Sequence, residues 1–255
     1  MKIDVLILAG ARNEGPLKEY SQESHEALIK IGNEPMVEYV INAVKAACHT
    51  EKIAIVGPKK EITNSINQNV DLIVDSSDSL MDNIQKGVKE LNPQHYVLVI
   101  TSDIPLITEN VIDEFINSCE DKDADIYYPI ISKQKNTAKF PNVKRTYVRL
   151  AEGTFTGGNM AVIKPEILND ALDWFEKVII WRKKPWKLSQ LLGIKFIFKF
   201  ILGNLSLQEI EDRITEVIGY KGMGLIVDHP EVGFDIDKPS DLELMRKKYI
   251  YKLVN

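Results

Sequence analysis

Four stretches of this 255-residue chain place reactive residue types at spacings that suit a phosphate or a metal ion. Leu8-Ala9-Gly10-Ala11-Arg12-Asn13-Glu14-Gly15 is a small-residue loop that follows an apolar run. Such a loop lets backbone N–H groups approach a phosphate or a base closely. It matches neither GxxxxGKS/T nor GxGxxG, and an ordinary tight turn has the same composition. Asp103, in Thr101-Ser102-Asp103-Ile104-Pro105-Leu106, stands between an apolar run and a proline. A carboxylate there suits Mg²⁺, which takes oxygen ligands, or the capping of the next turn. In Gly233 to Pro239, Asp235 and Asp237 alternate along an extended segment and so point the same way. That pair can complete a cation site begun by Asp103, although Asp237 also suits a helix N-cap. Thr154-Phe155-Thr156-Gly157-Gly158-Asn159 combines two glycines, open to close approach, with an amide that both donates and accepts. A hairpin bend or bulge has the same residues.

These stretches must be carried to one rim by a frame, and the apolar pattern supplies it. Val5 to Leu8, Lys52 to Val56, Leu72 to Val74, Tyr96 to Ile100 and Ile126 to Ile131 are short apolar runs that fit strands buried on both faces. Between them, Pro35 to Ala47, Leu80 to Leu91 and Thr108 to Ser118 have helical spacing, with Thr108 as an N-cap. This alternation predicts an α/β fold: a mostly parallel, mixed central sheet flanked by helices. Ligands of such sheets sit beyond the carboxyl ends of the strands, which is where the Gly10 loop and Asp103 fall. Beyond residue 131 the pattern loosens. Lys139 to Gly158 reads as a hairpin region, Met160 to Ile163 as apolar, and Pro165 to Trp174 as a helix begun by proline. Residues 175–218 read as a helical insertion, Met223 to Asp228 as a strand, and a last helix opens near Asp237 or Ser240. No linker divides the chain, so residues 1–255 are expected to form one domain.

Composition narrows the function. With 44% hydrophobic and 27% charged residues the chain has the profile of a soluble globular protein. Its net charge of −5 argues against a nucleic-acid surface. Cys48 and Cys119 are the only cysteines, which implies no disulfide framework and fits a reducing cytoplasm. His25, His49, His95 and His229 are scattered, and the lone adjacent pair Cys48-His49 has no second Cys or His near it in sequence to make up a four-ligand set, so a Cys/His zinc site is not expected. The apolar stretch of the N-terminus is too short for a signal peptide.

Taken in order, the motifs resemble the nucleotidyltransferase family with a GT-A-like fold, of the molybdenum-cofactor guanylyltransferase and sugar-1-phosphate uridylyltransferase type. ILAGARNEG is similar to its nucleotide loop, HEALIKIGNEPMVEYVINAV to the segment leading into its first long helix, and VLVITSDIPLIT to its metal-binding Asp motif. TFTGGNMAVIKPEIL is similar to the acceptor-side segment and GFDIDKPSDLEL to the closing metal segment. The resemblance covers about residues 1–170 and 223–245. It implies transfer of an NMP moiety from an NTP to a small phosphorylated acceptor, with pyrophosphate released. Asp103, Asp235 and Asp237 would hold Mg²⁺ or Mn²⁺. Leu8, Ala9, Gly10, Ala11, Ser79 and Asn83 would contact the nucleotide, and Gly158, Asn159 and Arg149 the acceptor. Two positions depart from the pattern: Gly15 stands where relatives have an Arg, and Glu26 where they have a catalytic Lys. A carboxylate does not neutralise a triphosphate, which leaves Arg12, Lys18, Lys30 or Lys238 to do so. A glycosyltransferase of the same fold would want a DxD where this chain has Thr101-Ser102-Asp103. A nucleotide-binding module without catalysis would suit Gly15 and Glu26.

One segment lies outside that pattern. In 181–205, Trp181, Arg182, Lys183, Lys184, Trp186 and Lys187 precede the apolar run Ile194 to Leu202, broken only by Lys195 and Lys199. It is too short to span a bilayer. Three readings fit it: a core helix or homodimer contact with a basic rim, an interfacial helix on anionic lipid, or a lid over an acceptor with an apolar tail.

Overall fold

The structure, a computed structural model, describes residues 1–170, 174 and 193–254. Among these residues the centre is a nine-stranded mixed sheet. The strands are β1 (Ile3–Leu8), β4 (Thr50–Gly57), β5 (Leu72–Asp75), β6 (Val97–Thr101), β7 (Ile126–Ser132), β8 (Val148–Leu150), β9 (Gly153–Gly157), β10 (Met160–Ile163) and β11 (Gly222–Val227). Their order is β5-β4-β1-β6-β10-β7-β9-β8, with β11 also paired to β7. β2 (Lys30–Ile31) and β3 (Glu34–Pro35) form a separate small ribbon.

The first four sheet strands in that order run parallel, as the alternation of strand and helix requires. β10 then enters antiparallel between β6 and β7. β9 and β10 follow one another along the same edge of β7: Gly157 pairs with Ile130, and Val162 with Tyr127. The chain changes neighbours between them, at Gly158 and Asn159. The α/β reading with a mixed sheet is therefore what the molecule has. The hairpin expected in 139–158 is β8–β9, turned at Ala151-Glu152, with Gly153 opening β9 opposite Leu150.

Period-two alternation in β1 divides the core. Ile3, Val5 and Ile7 pack with Val37, Val40, Ile41 and Val44 of α1 (Met36–Ala46) and with Ile112, Phe115 and Ile116 of α4 (Glu109–Glu120). Leu6 faces the other way, onto Val88 and Leu91 of α3 (Leu80–Leu91). α3 is capped at both ends: the Ser79 hydroxyl accepts from the Asp82 N–H at 3.2 Å, and Asn92 ends the helix at φ 50°. Thr108 takes the extended N-cap backbone of α4, but its side chain makes no capping bond. α3 lies close on the sheet because residue 87 is glycine. A Cβ there would come within 2.5 Å of Leu6 Cδ1 and 2.6 Å of Val56 Cγ2.

Some elements differ from the sequence pattern. α2 (Lys59–Ser65) and α5 (Lys133–Lys139) are short helices that the periodicity does not announce. α5 is mostly polar, and its buried residue is Asn136. α6 (Ile167–Asp170) and helical residue 174 fall within the proline-begun helix, whose residues 171–173 are not described. Of the expected insertion, residues 175–192 lie outside the described residues, including Trp181, Arg182, Lys183, Lys184, Trp186 and Lys187. The rest is two helices, α7 (Ile194–Leu202) and α8 (Leu207–Ile218). Gly203 at φ 68° closes α7, and a capping box between Ser206 and Glu209 opens α8. α7 is no core helix: Phe198, Ile201 and Leu202 are largely exposed. The chain closes with α9 (Pro239–Val254), begun by proline.

Overpacking at a close helix–sheet contact typically costs about 1–3 kcal/mol. Gly87→Val should therefore lower the urea midpoint by that equivalent. Gln85→Ala, one turn face away and exposed, should stay within about 0.5 kcal/mol of wild type. Equal midpoints for the two variants would contradict the close approach of α3.

Candidate active site

Two strand ends build the floor of a cleft at the carboxyl edge of the sheet. The Ala9 N–H donates to the Val56 carbonyl at 2.7 Å, and the Ser102 N–H to the Leu8 carbonyl at 3.0 Å, so the chain after β1 stays tied to β4 and β6. Gly10 then passes so near α3 and its preceding loop that a Cβ would lie 2.7 Å from Ser76 Cβ. That loop is held by Asn83, which is buried. Its Oδ1 accepts from the Ser77 N–H at 2.6 Å, and its Nδ2 donates to the Ser77 carbonyl at 3.0 Å. The far wall is Glu26, whose N–H donates to the Ala11 carbonyl at 3.0 Å. A cavity of about 190 Å³ results, lined by Gly10, Ala11, Glu26, Ser77, Asn83 and Asp103 among others. A wider hollow of about 590 Å³ between α1 and Pro105–Ile107 touches neither the glycine loop nor Asp103.

Asp103 leaves the end of β6 with its carboxylate oriented: Thr101 Oγ1 donates to its Oδ1 at 2.5 Å. Its main-chain carbonyl accepts from the Ile236 N–H at 3.0 Å. This bond fastens the segment Asp235-Ile236-Asp237 beside Asp103. Ile236 is buried in the core with Phe234, so the flanking aspartates turn together toward the cleft. Asp103, Asp235 and Asp237 each offer an oxygen, and these lie within 4.8 Å of one another. The expected carboxylate group is thus assembled in space.

Such crowding has an electrostatic cost. Burial pushes the Asp103 carboxyl up, and Asp237 adds to the rise against the hydrogen bond from Thr101. Burial raises Asp235 to about 7 against the opposing pull of Arg145, and Asp103 and Asp237 add to the rise. Glu26 is raised to about 7 as well, by burial first and then by Asp103 and Asp237. Arg145 is the counter-charge. Its guanidinium pairs with the Asp235 carboxylate, donates from Nη2 to the Asp235 carbonyl at 2.7 Å, and lies 5.5 Å from the Phe234 ring centroid. Its Nε–H is buried and has no acceptor among the described residues. A set of carboxylate oxygens this close, with protonation favoured by mutual repulsion, is the donor set that suits a hard divalent cation.

The other expected residues have definite places. Leu8, Gly10, Ala11 and Asn83 line the cavity, while Ala9 is buried beneath it. Ser79 caps α3 and is not part of the lining. Arg12 is exposed and pairs with Asp78 at 3.1 Å, on the cavity wall. Lys18, on the 3-10 turn Pro16–Glu19, and Lys30, on β2, are exposed and outside the lining, as is Lys238. Gly158 and Asn159 serve as a junction. The Gly158 N–H donates to the Pro129 carbonyl, the Asn159 N–H to that of Val232, both at 2.9 Å, and the Asn159 carbonyl accepts from the Thr101 N–H at 3.0 Å. Arg149 is exposed on β8, packed against Gly203 at the end of α7. Arg145 escaped the sequence reading; its only signal is a basic residue in a polar run, and its partner is 90 positions away.

Residues 5–179 match the model of the MobA-like NTP transferase domain. The chain belongs to that family. A hypothetical transferase from Thermus thermophilus is 32% identical, with a TM-score of 0.84 over 95% of this chain and 100% of that one. The structure of CMP:2-keto-3-deoxy-manno-octonic acid synthetase complexed with CTP superposes with a TM-score of 0.62 over 99% of this chain and 100% of that one. At 13% identity that likeness shows the fold alone. The bifunctional protein GlmU of Thermoanaerobacter pseudethanolicus (strain ATCC 33223 / 39E) is 29% identical over 114 residues, 44% of this chain. The match spans 24% of that curated relative's length. The family seen in the order of the motifs is thus the family to which this MobA-like domain belongs.

The raised Glu26 carboxyl has a consequence for stability. Its folded-state value of about 7 lies above the ordinary 4.5, so the folded state holds the extra proton. That contribution is full below about pH 4.5 and is lost as pH rises through about 7. In EDTA, Glu26→Gln should therefore gain on wild type as pH rises from 4.5 to 8, read as the difference in melting temperature. A constant difference across that range would remove Glu26 from the carboxylate group.

Proposed function

We propose that this protein transfers an NMP moiety from an NTP to a small phosphorylated acceptor, a sugar phosphate or cofactor-precursor phosphate, and releases pyrophosphate. The observation that supports this reading is the meeting of Asp103, Asp235 and Asp237 beside the Gly10 loop, at the rim where α/β sheets bind ligands. These aspartates would hold Mg²⁺, with Mn²⁺ as a substitute; when bound, the ion supplies Lewis-acid polarisation and charge neutralisation at phosphate oxygens.

The chain's own part is binding and orientation. Gly10 and Ala11 offer backbone to the nucleotide where a side chain at position 10 would collide with Ser76. Asn83 keeps Ser77 in place on the opposite wall. The Arg12 guanidinium is held by an exposed ion pair with Asp78, worth about 0–1 kcal/mol, so a triphosphate recruits it at little cost. Lys18, Lys30 and Lys238 are further cations for the same task. Arg145 pulls Asp235 toward its charged form against burial and offers its Nε–H to a phosphate oxygen. An oxygen of the acceptor phosphate attacks the α-phosphorus in line, the bond from that phosphorus to the pyrophosphate oxygen breaks, and pyrophosphate leaves. A phosphate is already a nucleophile, so the chain needs no general base, and positioning with charge neutralisation carries the rate.

Glu26 favours a second reading, a module that binds nucleotide without chemistry. It puts a carboxylate into the cleft where the resemblance leads one to expect a Lys. Pyrophosphate release, measured across the NTPs with a panel of sugar phosphates in Mg²⁺ and in EDTA, separates the two. Metal-dependent release is expected, and Asp103→Asn should lower kcat/KM by about 10²-fold or more, roughly 2.7 kcal/mol. Nucleotide binding with no release for any acceptor would support the module. Unchanged metal dependence in Asp103→Asn would mean the wrong carboxylate carries the site.

A further inference from the structure

α7 is apolar on two sides, and the domain covers only one of them. Phe196 packs with Leu150 and Phe155 of the β8–β9 hairpin and with Leu205. On the other side Phe198, Ile201 and Leu202 are 60%, 70% and 65% exposed. At about 100° per residue these three fall within one arc roughly 100° wide. Lys195, exposed, and Lys199, paired with Glu209, stand on the flank of that arc. Large apolar side chains grouped like this on a surface mark a contact rather than an accident of folding.

The charge of the surrounding chain selects the partner. From Lys177 to Gln208 there are seven Lys or Arg residues and no Asp or Glu, in a protein whose net charge is −5. A second copy of the chain seated on this face would bring like charges together. An anionic surface would meet opposite ones. Trp181 and Trp186 in the same stretch are of the residue type enriched at the boundary between hydrocarbon and water. The helix has 9 residues, about 14 Å by its rise, which is less than half the hydrocarbon thickness. Among the described residues no helix is long and apolar enough to cross a membrane.

We propose that α7 is an interfacial helix that seats Phe198, Ile201 and Leu202 in the surface of an anionic phospholipid bilayer, with Lys195 on its flank against the headgroups. The contact lies apart from the aspartate cleft and does not depend on its chemistry.

Flotation of the full chain with vesicles tests this. Vesicles of phosphatidylcholine with one-third phosphatidylglycerol should carry wild-type protein, pure phosphatidylcholine should carry little, and high salt should release it. The double variant Ile201→Asp with Leu202→Asp should reduce the bound fraction roughly tenfold. Lys195→Glu should weaken binding at low salt and leave the melting temperature unchanged. Absence of wild-type binding to anionic vesicles overturns the proposal, as does equal binding by the double variant with its fold intact. A concentration-dependent dimer that the double variant abolishes, without vesicle binding, would assign the face to a second copy and overturn it equally.

Discussion

A single main-chain hydrogen bond, from the Ile236 N–H to the Asp103 carbonyl, sets the geometry on which the site depends. It joins stretches more than a hundred residues apart in sequence and does so without using any side chain that does chemistry. The carboxylates are therefore free to face the cleft while the backbone supplies the attachment. The remaining supports converge on the same place: Thr101 orients the Asp103 carboxylate, and Asn159 ties β6 to the turn before Phe234. Arg145 and the apolar anchors Phe234 and Ile236 hold the other side.

The site is arranged against its own electrostatics. Four carboxylates influence one another, one guanidinium opposes them, and burial lifts three of the four. A fold does not maintain such an arrangement for stability, since hydrophobic replacements would remove the repulsion. The cost is intelligible where a cation is to be held, because the same repulsion that weakens the empty group strengthens its grip on the ion. Glu26 belongs to this balance, although its position on the wall separates it from the three aspartates that share a common point.

Much of this was legible in the sequence, for physical reasons that can be named. Strands buried on both faces appear as unbroken apolar runs, so β1, β4, β5, β6 and β7 declare themselves. The direction of β10 does not, because an apolar tetrapeptide carries no sign of parallel or antiparallel pairing. α5 was hidden because its buried residue, Asn136, is polar and satisfied by the Tyr147 hydroxyl. Asp235 and Asp237 could be seen to share a face, but nothing local says that Asp103 is their neighbour; that came from the order of motifs. Arg145 was invisible for the same reason, since its meaning lies in Phe234 and Asp235, far along the chain. The apolar, basic character of α7 was evident at once, whereas its exposure needed the packing of Phe196 to show which side was taken.

β7 gives one edge to β9 and β10 in succession and its other edge to β11. The half of the sheet that carries the glycine loop and the half that carries the hairpin consequently hang from the same backbone. Pulling either away would strip hydrogen bonds from the other. Among the described residues the sheet is one continuous hydrogen-bonded surface, and β7 is the strand on which its two halves meet.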